Sequence, residues 1–422
     1  MKVSYPLQAA RALALHAQGL TLDNGSEPPP TRKVLYRLID RLVSLQIDTL
    51  QRVRRTHYLV PWSRMGSYDP VLLDELAYGD PEKEKHDDGR KLFEYWFHAA
   101  CYLPLEEYRF RIPRMHSSRA GRRERTRTWL AKPETQKLLK QVYARVKREG
   151  ALRVRDFEDE RDERGLWWDW KPAKNALEHL YNCGDLMIAE RIRFERVYDL
   201  VERVLPDWVE VEVPTYEEAA LHVLERSAKA LGISTAAQIA DYSHDMGRND
   251  ARPFIEQLLH RGTLIQVRVE GAAGDDFKMV IHKDNKEHLE SAAEGSMKAQ
   301  RTTFLSPFDS FFYPKGRDEQ LWGFRQVLEA YKPASQREWG YYCLPILYKD
   351  RLIGRLDPRL DRRTGKLHLE ALYLQPGIEP EDVIISAIAF AMKDFMKFHR
   401  ANELIIEQSR PRALAKSLMS AL

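Results

Sequence analysis

The 422-residue sequence predicts an α+β fold in which tandem helix-and-wing units lead into a C-terminal β domain. Three observations carry that expectation. A helix–glycine–strand signature occurs twice, with every matched position 78 residues apart. A weaker third copy lies near the N-terminus. The last quarter of the chain then turns strand-rich.

In chain order, the first element is Lys33 to Ser44, where Val34, Leu35, Leu38, Ile39, Leu42 and Val43 form one apolar helical stripe. Leu45 to Leu50 follows as a short strand carrying Gln46 and Asp48 on alternate positions, which in a strand share a face. Tyr95 to Ala100 reads as helical, with His98 as a core histidine. Gln136 to Glu149 is an amphipathic helix closed by Gly150, then a strand at Leu152 to Val154, with Asp156 placed to cap a second helix. A third helix opens near Lys171 and Lys174, and Leu177, Leu180, Gly184 and Leu186 match Ile255, Leu258, Gly262 and Leu264 of the next copy. Glycine after a helix suits a left-handed cap. That copy opens with a helix from Glu217 to Leu231 ended by Gly232 and a second helix, capped by Ser234, through Tyr242, and its wing runs Leu264 to Val269 and back along Phe277 to His282. Helix, helix, third helix and a two-stranded wing is the winged-helix form of the helix-turn-helix. Strands at Tyr341 to Leu347, Leu352 to Leu356 and Lys366 to Leu372 predict a small barrel or sheet, and Pro380 to Phe398 a helix after it. The expected domains are 1–128, 129–214, 215–300 and 301–422.

The first copy departs from the pattern. Sliding Leu177 onto Ile39, an offset of 138 residues, puts Gln46 and Asp48 where the other copies hold glycine and leucine. A local departure from a repeat points to function, because structure alone asks for the other residues.

Composition narrows the function classes. Charged residues are 31% and hydrophobic ones 43%, as in a soluble protein, and no run is long enough to span a bilayer. No secretory leader is visible, so the expected compartment is the cytoplasm. Cys101, Cys183 and Cys343 are scattered, which predicts buried thiols rather than a disulfide or metal site. No Walker loop, GxGxxG or HExxH motif occurs, and neither cofactor nor metal is expected. Net charge is only +4, yet Arg109 to Arg127 holds eight arginines against Glu124. Such clustering marks a polyanion-facing surface or a solvated linker. Arg52, Arg54, Arg55 and His57 follow the Gln46–Asp48 strand directly. Two readings of Asp48 stand at this point: a working carboxylate beside a cationic surface, or an ion-pair partner for those arginines.

Leu45-Gln46-Ile47-Asp48, Arg55-x-His57, Trp62-Ser63-Arg64-Met65-Gly66-x-Tyr68, Tyr95-Trp96-x-His98-Ala99-Ala100, Trp170-Lys171-Pro172-x-Lys174, Tyr198-Asp199-Leu200 and Leu305-Ser306-Pro307-Phe308-Asp309 together resemble the YcaQ/AlkZ family of winged-helix DNA glycosylases. The resemblance implies three winged-helix units scaffolded on a C-terminal β-barrel. It implies excision of N7-alkylated purines from double-stranded DNA, including purines joined in interstrand crosslinks. Gln46-Ile47-Asp48 resembles the Gln-apolar-Asp branch, which assigns catalysis to Gln46 and Asp48. DNA contacts are expected from Arg52, Arg54, Arg55, His57, Arg64, Tyr68, Arg122, Arg123, Lys171 and Lys174. A monomer acting without a Schiff-base lysine is expected. The competing expectation is a winged-helix transcription regulator or architectural DNA binder without catalysis.

Overall fold

In the computed structural model of the protein, which describes residues 4–26, 28–80, 82–83, 88–157, 171–271 and 276–422, the repeated signature turns each time on a residue with positive φ. Gly184 (φ 75°) stands between the Lys171–Asn182 helix and the Leu186–Ile192 strand, and Gly262 (φ 72°) between Arg248–His260 and Leu264–Glu270. In the N-terminal copy the same place is taken by Val43 (φ 64°, ψ −34°), between Arg32–Leu42 and Leu45–Gln46. Aligned on these turns, Leu45 rather than Asp48 lies opposite Leu186 and Leu264. Ile39, Leu180 and Leu258 then share one buried position. The offset is 141 residues (Val43 against Gly184), not 138. Gln46 faces Met187 and Ile265 in this register, and Asp48 faces Ala189 and Val267. The departure from an apolar pattern survives the correction.

A β-branched residue at positive φ is strained by roughly 1–3 kcal/mol, whereas glycine adopts the conformation freely. Val43 is also 1% exposed, so its side chain contributes to the core. Comparison with Val43→Ala, which has already lost most of that packing, isolates the backbone. Val43→Gly is expected to be more stable than Val43→Ala by about 1 kcal/mol, the reverse of the usual order. Urea denaturation of the two variants checks this, and an alanine variant at least as stable as the glycine one removes the strain.

The chain divides into two compact units: Met1–Pro70, Phe97–Cys101 and Val223–Leu422 form one, and Val71–Trp96 and Tyr102–His222 the other. The second unit contains the helix Pro133–Glu149, the short strand Leu152–Arg153, the helix Lys171–Asn182 and the hairpin of Leu186–Ile192 with Glu195–Leu200. Glu195–Leu200 is the central strand of this three-stranded sheet. Arg193 and Phe194 both take positive φ (52° and 74°), the requirement of a tight hairpin turn compatible with strand twist. Beyond Phe157, the expected second helix of this copy lies outside the described residues.

In the first unit, Thr235 and Gln238 make a reciprocal capping box that starts the Ala236–Ser243 helix, so Thr235 takes the cap that Ser234 was expected to supply. Arg248–His260 and the antiparallel pair Leu264–Glu270 with Asp276–His282 complete that copy. Ser4–Tyr5 pairs in parallel with Leu264–Glu270. The C-terminal sheet curls into a half-barrel in the order Thr302–Phe304, Leu344–Tyr348, Arg351–Asp361, Lys366–Leu374 and Glu403–Ile406. Asp382–His399 is helical, buried along Ile384, Ile385, Ile388 and Met392. One buried cluster joins Ala10 and Leu13 near the N-terminus, Val269 and Ile281 of the wing, and Phe311, Leu321 and Leu347 of the C-terminal region. Burial of each such side chain contributes about 1.5–3 kcal/mol, so wing and half-barrel share one core. Among the described residues, no helix is long and apolar enough to cross a membrane.

Candidate active site

The regular strand after Val43 stops at Gln46. Ile47 still donates its N–H to the Ala100 carbonyl (2.8 Å), but Asp48 lies beyond the ladder. Strand alternation therefore does not set the direction of its carboxylate. A local turn does: Asp48 Oδ1 accepts the N–H of Leu50 at 2.9 Å. Asp48 is half-buried, and burial pushes its pKa up, against the lowering effect of the Leu50 and Thr49 N–H groups. Among the described residues, no cationic side chain contributes to that shift.

Gln46 is buried, with 8% of its surface exposed. Its Oε1 lies 2.8 Å from His98 Nε2. The His98 ring packs on Tyr313 with centroids 3.4 Å apart, Tyr313 on Tyr242 at 5.6 Å, and Tyr242 on Phe97 at 5.9 Å. Tyr242 also donates its hydroxyl to the Leu42 carbonyl at 2.6 Å, one residue before the strained turn. Residues 97–101 return to the first unit to complete this cradle. His98 sits in the turn between the strands Leu92–Trp96 and Ala100–Pro104, not in the helix expected there. Burial and the nearby His244 lower its pKa to about 3, so it is neutral at physiological pH. On another side, Thr56 and Ser306 hydroxyls lie 2.6 Å apart and Ser306 3.4 Å from the Tyr342 hydroxyl. The Asp48 charge helps to raise the Tyr342 pKa, as burial does more strongly.

The cations that follow are largely committed elsewhere. Arg52 pairs with Glu370 (2.5 Å) and lies over the Tyr341 ring, and Arg54 donates to the Phe398 carbonyl (3.0 Å). Neither pairs with Asp48, and the carboxylate has no ion pair among the described residues, against the ion-pair role considered from sequence. Arg55 stands just before the Thr56–Met65 helix. His57 is 1% exposed and packs on Tyr58. Arg64 is buried and grips both oxygens of Asp309, while Tyr68 is buried, stacks on Phe398 and donates to the Tyr58 carbonyl (3.2 Å). His57, Arg64 and Tyr68 are thus internal, where the sequence suggested DNA contacts.

Within the second unit, Arg109 pairs with Glu210, Arg111 is buried against Glu107 (3.6 Å), and Arg119 pairs with Asp185 (2.7 Å). Arg122, Arg123 and Arg125 are exposed around the start of the Glu124–Leu130 helix. Lys171 is the first residue of its helix and Lys174 is partly exposed one turn on. All three cysteines are buried and unbridged, and burial raises the Cys183 thiol to about 12. Sequence reasoning set His98 aside as core. Its signal was the block Tyr95-Trp96-x-His98, whose histidine lands on the amide of the motif.

A winged-helix scaffold points to the class of DNA-directed proteins, and this one holds a half-buried carboxylate, without an ion pair among the described residues, close in sequence to a clamped amide. Residues 39–398 match the family described as DNA glycosylase AlkZ-like. The chain therefore belongs to the AlkZ-like family of DNA glycosylases, which decides between enzyme and regulator in favour of the enzyme. Among solved structures it is similar to the Streptomyces sahachiroi DNA glycosylase AlkZ, with a TM-score of 0.65 and 16% identity over 97% of this chain and all of that one. At that identity the likeness is one of fold.

Proposed function

We propose that this glycosylase hydrolyses the N-glycosidic bond of N7-alkylated purines in duplex DNA, including purines held in nitrogen-mustard-type interstrand crosslinks, and leaves an abasic site. The observation that carries the reading is the Asp48 carboxylate, raised in pKa by burial and without a cationic partner among the described residues. An N7-alkylated purine already bears positive charge and leaves without prior protonation. What remains is to stabilise positive charge growing on the sugar and to take a proton from the attacking water. One ionised carboxylate does both, electrostatically and as a general base. It is half of the carboxylate pair that sugar hydrolysis normally uses, and a cationic leaving group makes the other half unnecessary. No lysine lies in the motif, so water rather than an amine is the nucleophile.

Duplex DNA is gripped by phosphate contacts, with Arg122, Arg123, Lys171 and Lys174 the proposed donors, and the protein works as a monomer on the DNA of the cytoplasm. The domain bounds 1–128, 129–214, 215–300 and 301–422 describe the proposed modules. The test is a duplex with one N7-methylguanine and, in parallel, one with a nitrogen-mustard crosslink. Free base released and an alkali-sensitive abasic site left behind are the expected products. Release from the monoadduct but not from the crosslink would confine the substrate to single-strand lesions, and no release from either would end the proposal. Affinity for undamaged duplex is expected to fall steeply between 50 and 200 mM salt, by roughly tenfold or more for a few released counterions. Arg122→Ala/Arg123→Ala should flatten that slope, and an unchanged slope would remove these arginines from the interface.

A further inference from the structure

We propose that His98 is a positioning residue which holds the Gln46 side chain as a hydrogen-bond donor toward the substrate, leaving Asp48 as the only proton acceptor of the pair. The inference rests on the function proposed above and divides the work within the motif.

The argument starts from the amide. A glutamine side chain has an acceptor oxygen on one branch and two N–H donors on the other. Free to flip, it offers either end to a water molecule with little preference. Gln46 is not free, because its Oε1 lies 2.8 Å from His98 Nε2. His98 carries one ring proton when neutral, and that proton decides which amide end faces it. Nδ1 of His98 is buried and has no hydrogen-bond partner among the described residues. A buried N–H with no acceptor costs more than an empty lone pair. The proton therefore belongs on Nε2, where it has an acceptor in Gln46 Oε1. Burial keeps the ring from taking a second proton, with its pKa near 3.

The ring itself is held. Tyr313 packs on it in a tilted contact with ring centroids 3.4 Å apart, and Tyr313 is itself backed by Tyr242. With Oε1 engaged by His98, the amide N–H groups are the end left for solvent or substrate. They bind a water or sugar oxygen through its lone pairs and take no proton from it. The proton of the attacking water goes to the Asp48 carboxylate. Removing the His98 donor would let the amide flip and place an acceptor where a donor is needed.

Two independent measurements test this. The first is the rate of base release from an N7-methylguanine duplex. His98→Phe keeps an aromatic ring against Tyr313 but has no N–H. Its kcat is expected to fall on the order of tenfold or more, with KM within about twofold. His98→Gln, which offers a side-chain N–H, should recover part of the loss. In a Gln46→Ala background, His98→Phe should cause no further loss, because its target is gone. A His98→Phe enzyme as fast as the wild type, or the same fold loss with and without Gln46, overturns the role. The second measurement is the nitrogen NMR spectrum of His98 in the wild-type protein. Protonation at Nε2 and a neutral ring at pH 6 are expected, and a proton on Nδ1 overturns the proposal. The tautomer is read without any turnover, so it decides the polarity of this hydrogen bond even where the wild type releases no base. A wild type that releases base at a rate His98→Phe leaves unchanged refutes the His98 role alone and leaves the proposed function standing.

Discussion

Asp48→Asn is expected to lower the rate of base release from N7-methylguanine DNA by about 10²- to 10⁴-fold, the range that a positioned general base contributes. Asparagine keeps the shape and one acceptor oxygen for the Leu50 N–H, so the turn that holds residue 48 survives. It loses the charge that faces the developing sugar cation and the site that takes the water's proton. Binding to undamaged duplex should be equal or tighter, since a negative charge has left a phosphate-facing surface. A variant that releases base at the wild-type rate would take the general-base role from Asp48.

The same carboxylate carries a pH signature with a fixed sign. Burial raises its pKa in the folded protein. The ionised form is the active one, so the rate is lost as pH falls through that raised value, and the acid limb lies above the range of an ordinary aspartate. For stability the sign is opposite. A carboxyl whose folded pKa exceeds its unfolded pKa makes the protein less stable as pH rises between the two. Asp48→Asn should therefore melt at or slightly above the wild type at neutral pH, and the gain should vanish in acid. Loss of activity with no loss of stability is the pattern of a residue kept for chemistry.

The largest stability effect is expected at Asp309. Its two carboxylate oxygens bind Arg64, with Nη2 to Oδ1 at 2.8 Å, and both side chains are almost wholly buried (2% and 0% exposed). Arg64 also donates from Nε to the Gln18 carbonyl (3.1 Å), and Asp309 accepts the N–H of Phe311 (3.0 Å). Asp309→Ala would leave a guanidinium buried without its counter-charge, at a cost of about 3–5 kcal/mol. Replacing both partners by apolar residues of similar size, Arg64→Met with Asp309→Leu, should cost clearly less, because no charge is then stranded. Urea midpoints for the single and double variants read this directly. A double variant no better than Asp309→Ala would mean that the pair acts through something other than its charges. The turn at Phe311 leads straight to Tyr313, so the single variant should also weaken the cradle around Gln46.

Residue type and spacing made some of this visible in advance, and geometry hid the rest. The two copies 78 residues apart were legible because glycine marks their turns. The third was displaced by three residues because Val43 takes a glycine-like φ that no residue-type search expects. The polar pair at 46 and 48 stood out against apolar neighbours in either register. Arg64 and Tyr68 looked like surface residues because their partners are remote: Asp309 is 245 residues from Arg64, and Tyr68 stacks on Phe398 near the other end of the chain. His98 was misplaced for the same reason. Nothing local to Tyr95–Ala100 says that this stretch turns back to meet Gln46.

The discontinuous first unit sets a timetable for synthesis. Ser4–Tyr5 finds its strand partner at Arg268 and Val269, and Arg64 waits for Asp309. At ribosomal speeds of about 5–20 residues per second, the N-terminal segment spends on the order of tens of seconds without its partners. The second unit, drawn from one nearly unbroken stretch of chain, has its contacts available much earlier. The segment that carries Gln46 and Asp48 is therefore among the first made, while its cradle waits for Tyr242 and Tyr313. Nascent chains arrested before residue 268 should leave the Ser4–Tyr5 segment open to proteolysis, while the Pro133–Glu149 helix and its wing are already protected.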